Sequence, residues 1–266
     1  MPPLEGKAAP IYLCSRIEPP GPAPKLPPTL VTLLARHVSA HARLFRVSLD
    51  GKDQGDGLNK YIRSPATNDP VRDLSSAAIV CNTQVSKAAP DFVRAAAGDR
   101  LTFLWAHDNP DDPADYVLDP SHKGAILTYV AAYPSGDPTG PIWSKLAEEG
   151  FTGGQWATIK MIDNGGKVDV TLPEALAPGK YLIRQELLAL HQADFACDDP
   201  AHPNRGAESY PNCVQVEVSG SGDKKPDQNF DFNKGYTCDN KGLHFNIYIG
   251  QDSQYVAPGP RPWNGS

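Results

Sequence analysis

Apolar residues occupy every second position of the stretch Val214-Gln215-Val216-Glu217-Val218. The stretch Lys167-Val168-Asp169-Val170-Thr171-Leu172 alternates in the same way. Because successive side chains of a strand point to opposite faces of a sheet, this alternation predicts two half-buried β-strands. Further short runs of strand-forming residues occur at Leu44–Leu49, Arg100–Trp105, Ile126–Ala132, Tyr181–Leu190, Cys213–Val218 and His244–Ile249.

Turn-forming residues separate these runs, and the chain contains 27 prolines and 23 glycines in 266 residues. Only Ile142–Glu149 has the pattern of a short helix. Long loops, where functional residues tend to lie, are expected at Lys52–Ala78, Ala106–Ser121 and Gln192–Glu208. We therefore predict an all-β fold, an immunoglobulin- or fibronectin-III-like antiparallel β-sandwich with long loops and short helical segments.

The charge and the hydropathy of the chain exclude two classes of partner. The formal net charge is −6, whereas a nucleic-acid-binding surface needs basic residues to neutralise phosphates. No stretch approaches the roughly 20 apolar residues that a membrane-spanning helix requires. We expect no nucleic acid and no membrane as partners. An acidic surface is compatible with a neutral polymer or a small polar substrate.

Small residues stand immediately before His41, in Val38-Ser39-Ala40, where a signal peptidase requires them. Cleavage after Ala40 would make His41 the first residue, with a free α-amine and an imidazole that can chelate a metal together. We predict that residues 1–40 are a signal or pro-segment, or a mispredicted N-terminal extension. Residues 41–266 would then form one secreted, extracellular domain.

The cysteine count agrees with an oxidising compartment. Cys14 lies in the N-terminal segment, which leaves an even set of four cysteines in residues 41–266. No two of these form a Cys-x-x-Cys pair, so a zinc knuckle or a redox motif is not expected. Three pairings are possible, of which we prefer Cys81–Cys213 with Cys197–Cys238.

Two further residues could complete a metal site with His41. His122 precedes the predicted strand at Ala125–Ala132, and Tyr210 precedes another strand. Two imidazoles and one amine provide three nitrogen donors of the kind that suit Cu(II), and a phenol can be a weak axial group. A free α-amine has a pKa of about 8 and loses its proton readily to a metal.

These features occur in a chain that resembles the fungal, cellulose-active lytic polysaccharide monooxygenases of auxiliary activity family nine. The resemblance extends over residues 41–260. Besides the cleavage site and His41, it rests on the blocks Val47–Gly51, Tyr61–Pro65, Pro70–Leu74, Ile79–Asn82, Ser121–Gly124, Ala177–Arg184, Glu186–His191, Gly206–Cys213 and Tyr255–Pro260.

The resemblance implies a site with one copper ion per chain. His41 and His122 would be the metal-binding histidines, and Tyr210 would be the axial residue. His191 would lie beside the metal and donate a hydrogen bond or a proton to the oxidant. Glu208 stands where many relatives carry glutamine, so its carboxylate could accept a hydrogen bond from His191 or change its proton affinity.

The resemblance also implies the reaction. The enzyme would be a copper-dependent oxidoreductase that cleaves glycosidic bonds of cellulose or a related β-glucan by hydroxylation at C1, C4 or both. It would use H2O2 or O2 and an external electron donor, either a small reductant or a redox protein. The protein would act as a monomer, and Tyr61 and Tyr255 could stack on the sugar rings.

Plainer interpretations exist for several of these residues. His191 ends an apolar run and could be a core histidine, and Glu208 could be a salt-bridge partner. Tyr210 could be a core tyrosine, while Tyr61 and Tyr255 could serve in packing or anchor loops. Two other functions also remain open, namely a non-catalytic carbohydrate-binding β-sandwich and a protein that sequesters or delivers copper.

Overall fold

The computed structural model describes residues 41–83, 87–134, 136–263 and 265. The predicted signal or pro-segment at residues 1–40 lies outside these ranges. The strands are β1 Arg43–Leu49, β2 Lys52–Asp56, β3 Ile62–Arg63, β4 Val93–Ala96, β5 Arg100–Ala106, β6 Gly124–Ala132, β7 Ser144–Glu149, β8 Phe151–Thr152, β9 Gln155–Trp156, β10 Lys167–Thr171, β11 Gly179–Ala189 and β12 Glu208–Ser219. The helices are α1 Ala78–Cys81, α2 Ala157–Asp163 and α3 Phe232–Gly235, with a 3₁₀ turn at Asp252–Gln254.

Two sheets form the predicted β-sandwich. One sheet has the order β10-β5-β1-β2, and all of its pairings are antiparallel. The other has the order β3-β12-β11-β6-β7, and β4 pairs with β12 in parallel. The strands predicted in the two alternating stretches are confirmed as parts of β10 and β12. The fold is therefore mostly antiparallel β-structure with few and short helices, as the sequence indicates.

A main apolar core lies between the sheets, with Leu44 and Phe103 from one and Ile183 and Val214 from the other. A second core covers the outer face of the β11 sheet and contains Trp143. This second layer explains why β11 is buried on both faces from Tyr181 onward, instead of alternating between buried and exposed positions.

Both disulfides of the preferred pairing are present. Cys81 is joined to Cys213, so helix α1 is fastened to strand β12 inside the second core. Cys197 is joined to Cys238 and connects two loops. Bridges that close long loops stabilise the fold chiefly by restricting the unfolded chain.

The prediction of a helix at Ile142–Glu149 is wrong. Most of this segment forms β7, which pairs with β6 along the edge of the larger sheet. Its backbone forms hydrogen bonds with the otherwise unpaired backbone groups along the edge of β6, and this non-local pairing outweighs the local helical pattern. The structure instead has a helix at Ala157–Asp163 that the sequence analysis did not predict. Within the described ranges, no helix combines the length and apolar character needed to cross a membrane.

The prediction of a strand at His244–Ile249 is also wrong, because this run lies in turns. The backbone amide of His244 donates to the carbonyl of Asn240, and the amide of Tyr248 donates to the side chain of Asn246. Asparagine side chains that accept such local bonds favour turns over strand pairing. The predicted loop at Lys52–Ala78 likewise contains two short strands, β2 and β3.

Substituting Gly124 by alanine is expected to destabilise the protein by about 3 kcal/mol, the upper part of the usual range for overpacking. A Cβ atom at this position would lie 1.8 Å from the backbone oxygen of Leu188 on the neighbouring strand, and backbone cannot move aside as a side chain can. Chemical denaturation measures the effect. Gly136→Ala is the matched control, since no described atom lies within 4 Å of a Cβ there. Equal stability of the two variants would contradict the prediction.

Candidate metal centre

Strands β6 and β11 bring His122 and His191 together at one end of the larger sheet. Gly124 pairs with Ala189 at the ends of the two strands, and the amide of Leu190 donates to the carbonyl of Lys123 at 2.8 Å. His122 lies two residues before Gly124, and His191 lies two residues after Ala189. Antiparallel pairing therefore places both imidazoles at the same edge, with ring centroids 4.1 Å apart.

His41 reaches this edge from the other sheet. It lies two residues before β1, and the amide of Leu44 is 3.4 Å from the side-chain oxygen of Asn212 on β12. The centroid of the His41 ring is 6.1 Å from that of His122 and 5.8 Å from that of Tyr210. Residues far apart in sequence thus meet where the two layers of the sandwich come together.

Strand β12 begins with Glu208 and contributes two buried side chains to the site. Glu208 is only 1 % exposed, and Tyr210 is fully buried. Both point to the same face because they are two positions apart on one strand. The hydroxyl of Tyr210 donates a hydrogen bond of 2.7 Å to Oε2 of Glu208.

The carboxylate of Glu208 connects the members of the site. Its Oε2 lies 3.4 Å from Nε2 of His122, and its Oε1 lies 3.7 Å from Nε2 of His191. Oε1 also forms an ion pair with Arg72. Burial alone would raise the pKa of Glu208, but the hydrogen bonds of His122 and Tyr210 and the charge of Arg72 outweigh it and lower the pKa to about 2. The carboxylate is therefore an anion at neutral pH.

The same surroundings affect the two neighbours of Glu208. Burial lowers the pKa of His191, and the nearby His122 lowers it further. The buried Nδ1 of His191 has no hydrogen-bond partner among the described residues. Burial and the adjacent carboxylate raise the pKa of Tyr210, so its phenol keeps the proton that it donates to Glu208.

The geometry is compatible with a bound metal ion. His41, His122 and Glu208 each offer one ligand atom, and these atoms all lie within 4.8 Å of one another. Two imidazoles in such a group suit copper, zinc or another borderline metal, and an added amine from an N-terminal His41 would favour Cu(II). His41 also has an acidic neighbour, since its Nδ1 lies 3.3 Å from a carboxylate oxygen of the exposed Asp69.

Tyr61 and Tyr255, which could stack on sugar rings, differ in their burial. Tyr61 is 6 % exposed and part of the main core, and its hydroxyl donates to the backbone of Gly55 at 2.6 Å. The ring of Tyr255 packs against Trp156 and Phe245 with centroids 5.0 and 5.2 Å away. Tyr61 is thus buried in the core, whereas Tyr255 is partly exposed and contacts its two neighbours edge-on.

Two residues next to the site were not singled out from the sequence. Arg72 lies within one of the family blocks, but nothing in its local sequence pointed to a buried carboxylate as its partner. Tyr248 is 65 % exposed and donates a hydrogen bond of 2.9 Å to the backbone oxygen of His191. The wrong strand prediction at His244–Ile249 concealed it, although an exposed aromatic in a turn is a signal for a binding surface.

Comparisons with known proteins give one consistent family. Residues 41–255 match the family model described as "Auxiliary Activity family 9 (formerly GH61)". The chain is 49 % identical over 240 residues to a protein from Collariella virescens named "AA9 family lytic polysaccharide monooxygenase A", and the match covers 88 % of this chain and 85 % of that protein. A protein of the same name from Schizophyllum commune is 42 % identical over 234 residues, which are 85 % of this chain and 90 % of that one.

Solved structures with similar sequences have the same fold. The chain superimposes on the structure titled "CvAA9A" with a TM-score of 0.80 and 48 % identity, covering 85 % of this chain and 99 % of that one. It also matches Cel61B from Hypocrea jecorina, described as a glycoside hydrolase family 61 member, with a TM-score of 0.70 and 26 % identity. That match covers 84 % of this chain and 100 % of the other.

Proposed function

The chain belongs to Auxiliary Activity family 9, whose named members are lytic polysaccharide monooxygenases, and on this premise we propose that it uses one copper ion to cleave cellulose or a related β-glucan oxidatively. Family membership makes the protein an oxidoreductase that acts on polysaccharides. It therefore favours catalysis over the alternatives of a carbohydrate-binding module and a copper-sequestering protein. The observation that carries the proposal is the convergence of His41, His122 and Tyr210 at one end of the sandwich.

The proposed ligands are the α-amine and imidazole of His41 and Nε2 of His122, and the phenol of Tyr210 would lie beside the metal. The amine exists only if the chain is cleaved after Ala40, and the family match that begins at residue 41 supports this cleavage. Copper bound there would supply one-electron redox chemistry and would activate H2O2 or O2 after reduction by an external donor.

Two buried residues would manage protons and charge beside the metal. His191 lies against His122, and the lowered pKa of its ring keeps it neutral near pH 7, so it can donate a hydrogen bond without adding positive charge. Glu208 would accept the hydrogen bond of Tyr210 and thereby hold the phenol in place, with its charge close to His191. Residues around a metal site commonly act in these two ways, since they orient the ligands and adjust the reactivity of the metal.

The substrate would contact the exposed end of the sandwich, where Tyr248 lies next to His191. The neighbouring Ile249 is also exposed, at 58 %. An exposed aromatic ring beside a metal centre is suited to stack on a pyranose ring of a β-glucan. We propose hydroxylation at C1, C4 or both, a small reductant or a redox protein as electron donor, and a secreted, monomeric enzyme composed of residues 41–266.

The activity assay uses protein that begins at His41, loaded with copper and incubated with ascorbate, H2O2 and cellulose. Oxidised oligosaccharides detected by mass spectrometry are the expected result, and their C1 or C4 oxidation is read from the same spectra. A sample freed of copper by a chelator serves as the control. If protein with copper bound yields no oxidised products from cellulose, xyloglucan or other β-glucans, the proposal is wrong.

Substituting Tyr248 by alanine is expected to weaken binding to cellulose about fivefold, because a lost stacking contact costs about 1 kcal/mol. Pull-down with insoluble cellulose measures this effect, and copper affinity should not change. Phe92→Ala is the matched control, since Phe92 precedes β4, which pairs with the half of β12 remote from Glu208. Equal binding by both variants would remove Tyr248 from the substrate surface.

A further inference from the structure

Each carboxylate oxygen of the buried Glu208 has its own polar partner. Oε1 forms an ion pair with Arg72, while Oε2 accepts the hydrogen bond of Tyr210 and lies 3.4 Å from Nε2 of His122. The carboxylate is 2 % exposed, whereas the side chain of Arg72 is 38 % exposed. Arg72 therefore reaches in from the surface to neutralise a charge that solvent cannot screen.

The position of Arg72 is set by β12 itself. Val71 forms an isolated antiparallel bridge with Ser209, with hydrogen bonds of 2.7 and 3.1 Å in the two directions. This bridge brings Arg72 alongside Glu208, the residue next to Ser209. A guanidinium has several donors in a planar fork, so it can hold a carboxylate while bonding other groups.

The guanidinium is also held from the other side. Its Nη1 donates to the side chain of Gln192 at 3.0 Å and to the carbonyl of Asn204 at 2.6 Å. Both acceptors belong to the loop between β11 and β12, which follows His191. Arg72 thus has three partners that keep its charged end on one side of the Glu208 carboxylate.

A carboxylate at this place needs such restraint. Glu208 already belongs to the group of three residues whose ligand atoms lie within 4.8 Å of one another, together with His41 and His122. An anionic oxygen is a good ligand for a divalent cation, and a glutamate has three side-chain torsions with which to reach one. If it were free to turn, the carboxylate would bind a metal held by the two histidines and occupy a coordination position.

We propose that Arg72 is a positioning residue that keeps the Glu208 carboxylate off the metal and in its hydrogen bond with Tyr210. The consequence is a nitrogen-rich donor set with a coordination position left for the co-substrate. This inference rests on the proposed copper site, because it concerns what surrounds that ion.

Electron paramagnetic resonance of the Cu(II)-loaded protein tests the inference. In Arg72→Leu, Glu208 should move onto the metal, and g∥ and the copper hyperfine splitting should shift toward a coordination richer in oxygen. In the double variant Arg72→Leu/Glu208→Gln, an amide replaces the released carboxylate, so the spectrum should return to that of the parent. Glu208→Gln alone should also retain a parent-like spectrum. Arg46→Leu is the matched control, because Arg46 pairs with the exposed Asp111 instead.

The outcomes separate this inference from the proposed function. Failure of the parent protein to bind copper would overturn the proposed function. Normal copper binding with an unchanged spectrum in Arg72→Leu would overturn the role of Arg72 alone, as would a shifted spectrum that persists in the double variant. If Arg72→Leu does not fold, Gln192→Ala removes one of the partners that hold Arg72, and a smaller shift in the same direction is expected. An unchanged spectrum in that variant would then count against the inference.

Discussion

Protein that begins at His41 with a free α-amine is expected to bind Cu(II) at least about 100-fold more tightly than the same protein with that amine acetylated. The free chain end supplies an amine nitrogen next to the imidazole, whereas the acetylated form has an amide that is a poor ligand. Loss of a direct ligand should exceed the 10- to 100-fold effect that is typical of changes to groups around a metal site. Isothermal titration calorimetry at pH 7 measures both affinities.

The fold itself should not depend on this one amine. Thermal unfolding of the two metal-free forms is therefore the control, and their midpoints should agree closely. Added copper should raise the midpoint of the form with the free amine more, since a ligand that binds only the folded state stabilises it by an amount that grows with affinity. Equal copper affinities would show that the amine is not a ligand and would leave His122 and the imidazole of His41 as the only histidine donors of the proposal.

Substituting His122 by alanine is expected to lower copper affinity by at least about 100-fold as well, and to abolish oxidative cleavage. His122 is 4 % exposed, and its Nε2 belongs to the group of ligand atoms shared with His41 and Glu208. Its removal leaves donors from only one histidine, and it also takes one hydrogen-bond partner from a buried carboxylate. Calorimetric titration with copper and the cellulose assay measure the two effects.

The matched control for this variant is His202→Ala. His202 stacks on Phe195 with ring centroids 3.5 Å apart and lies 3.0 Å from a carboxylate oxygen of Asp199, so it is engaged elsewhere. Its loss should leave copper affinity within about twofold of the parent. If His122→Ala binds copper as well as His202→Ala does, His122 is not a ligand.

Six of the twelve strands in the described residues, β1, β5, β6, β10, β11 and β12, were predicted from local patterns, and the two wrong predictions have different causes. The alternating stretches at Lys167–Leu172 and Val214–Val218 form strands because one face of each meets the apolar core. Ile142–Glu149 has a helical pattern, yet it pairs with β6 because an open sheet edge offered backbone partners that no local pattern reveals. At His244–Ile249, local hydrogen bonds that asparagine residues accept from backbone amides outweigh strand propensity.

Candidate site residues were predictable where their neighbours in sequence carry a motif. His41 follows a predicted cleavage site, and His122 and His191 lie in family blocks at strand ends. Tyr61 and Tyr255 lie in such blocks too, but the structure buries Tyr61 in the core and leaves Tyr255 partly exposed. Arg72 and Tyr248 escaped notice, since their importance comes from partners 136 and 57 residues away in the chain.

The sequence by itself determined the class of fold, the family and the candidate ligands, because each of these leaves a local pattern or a motif, whereas it left three disulfide pairings open. Only the tertiary structure decided which tyrosines are buried, and that Glu208 has Arg72, Tyr210 and two histidines around it. The physical reason is that burial and ion pairing depend on how strand ends from two sheets meet. The pairing register of β6, β11 and β12 decides which strand ends lie together, and this register cannot be read from any single segment of the sequence.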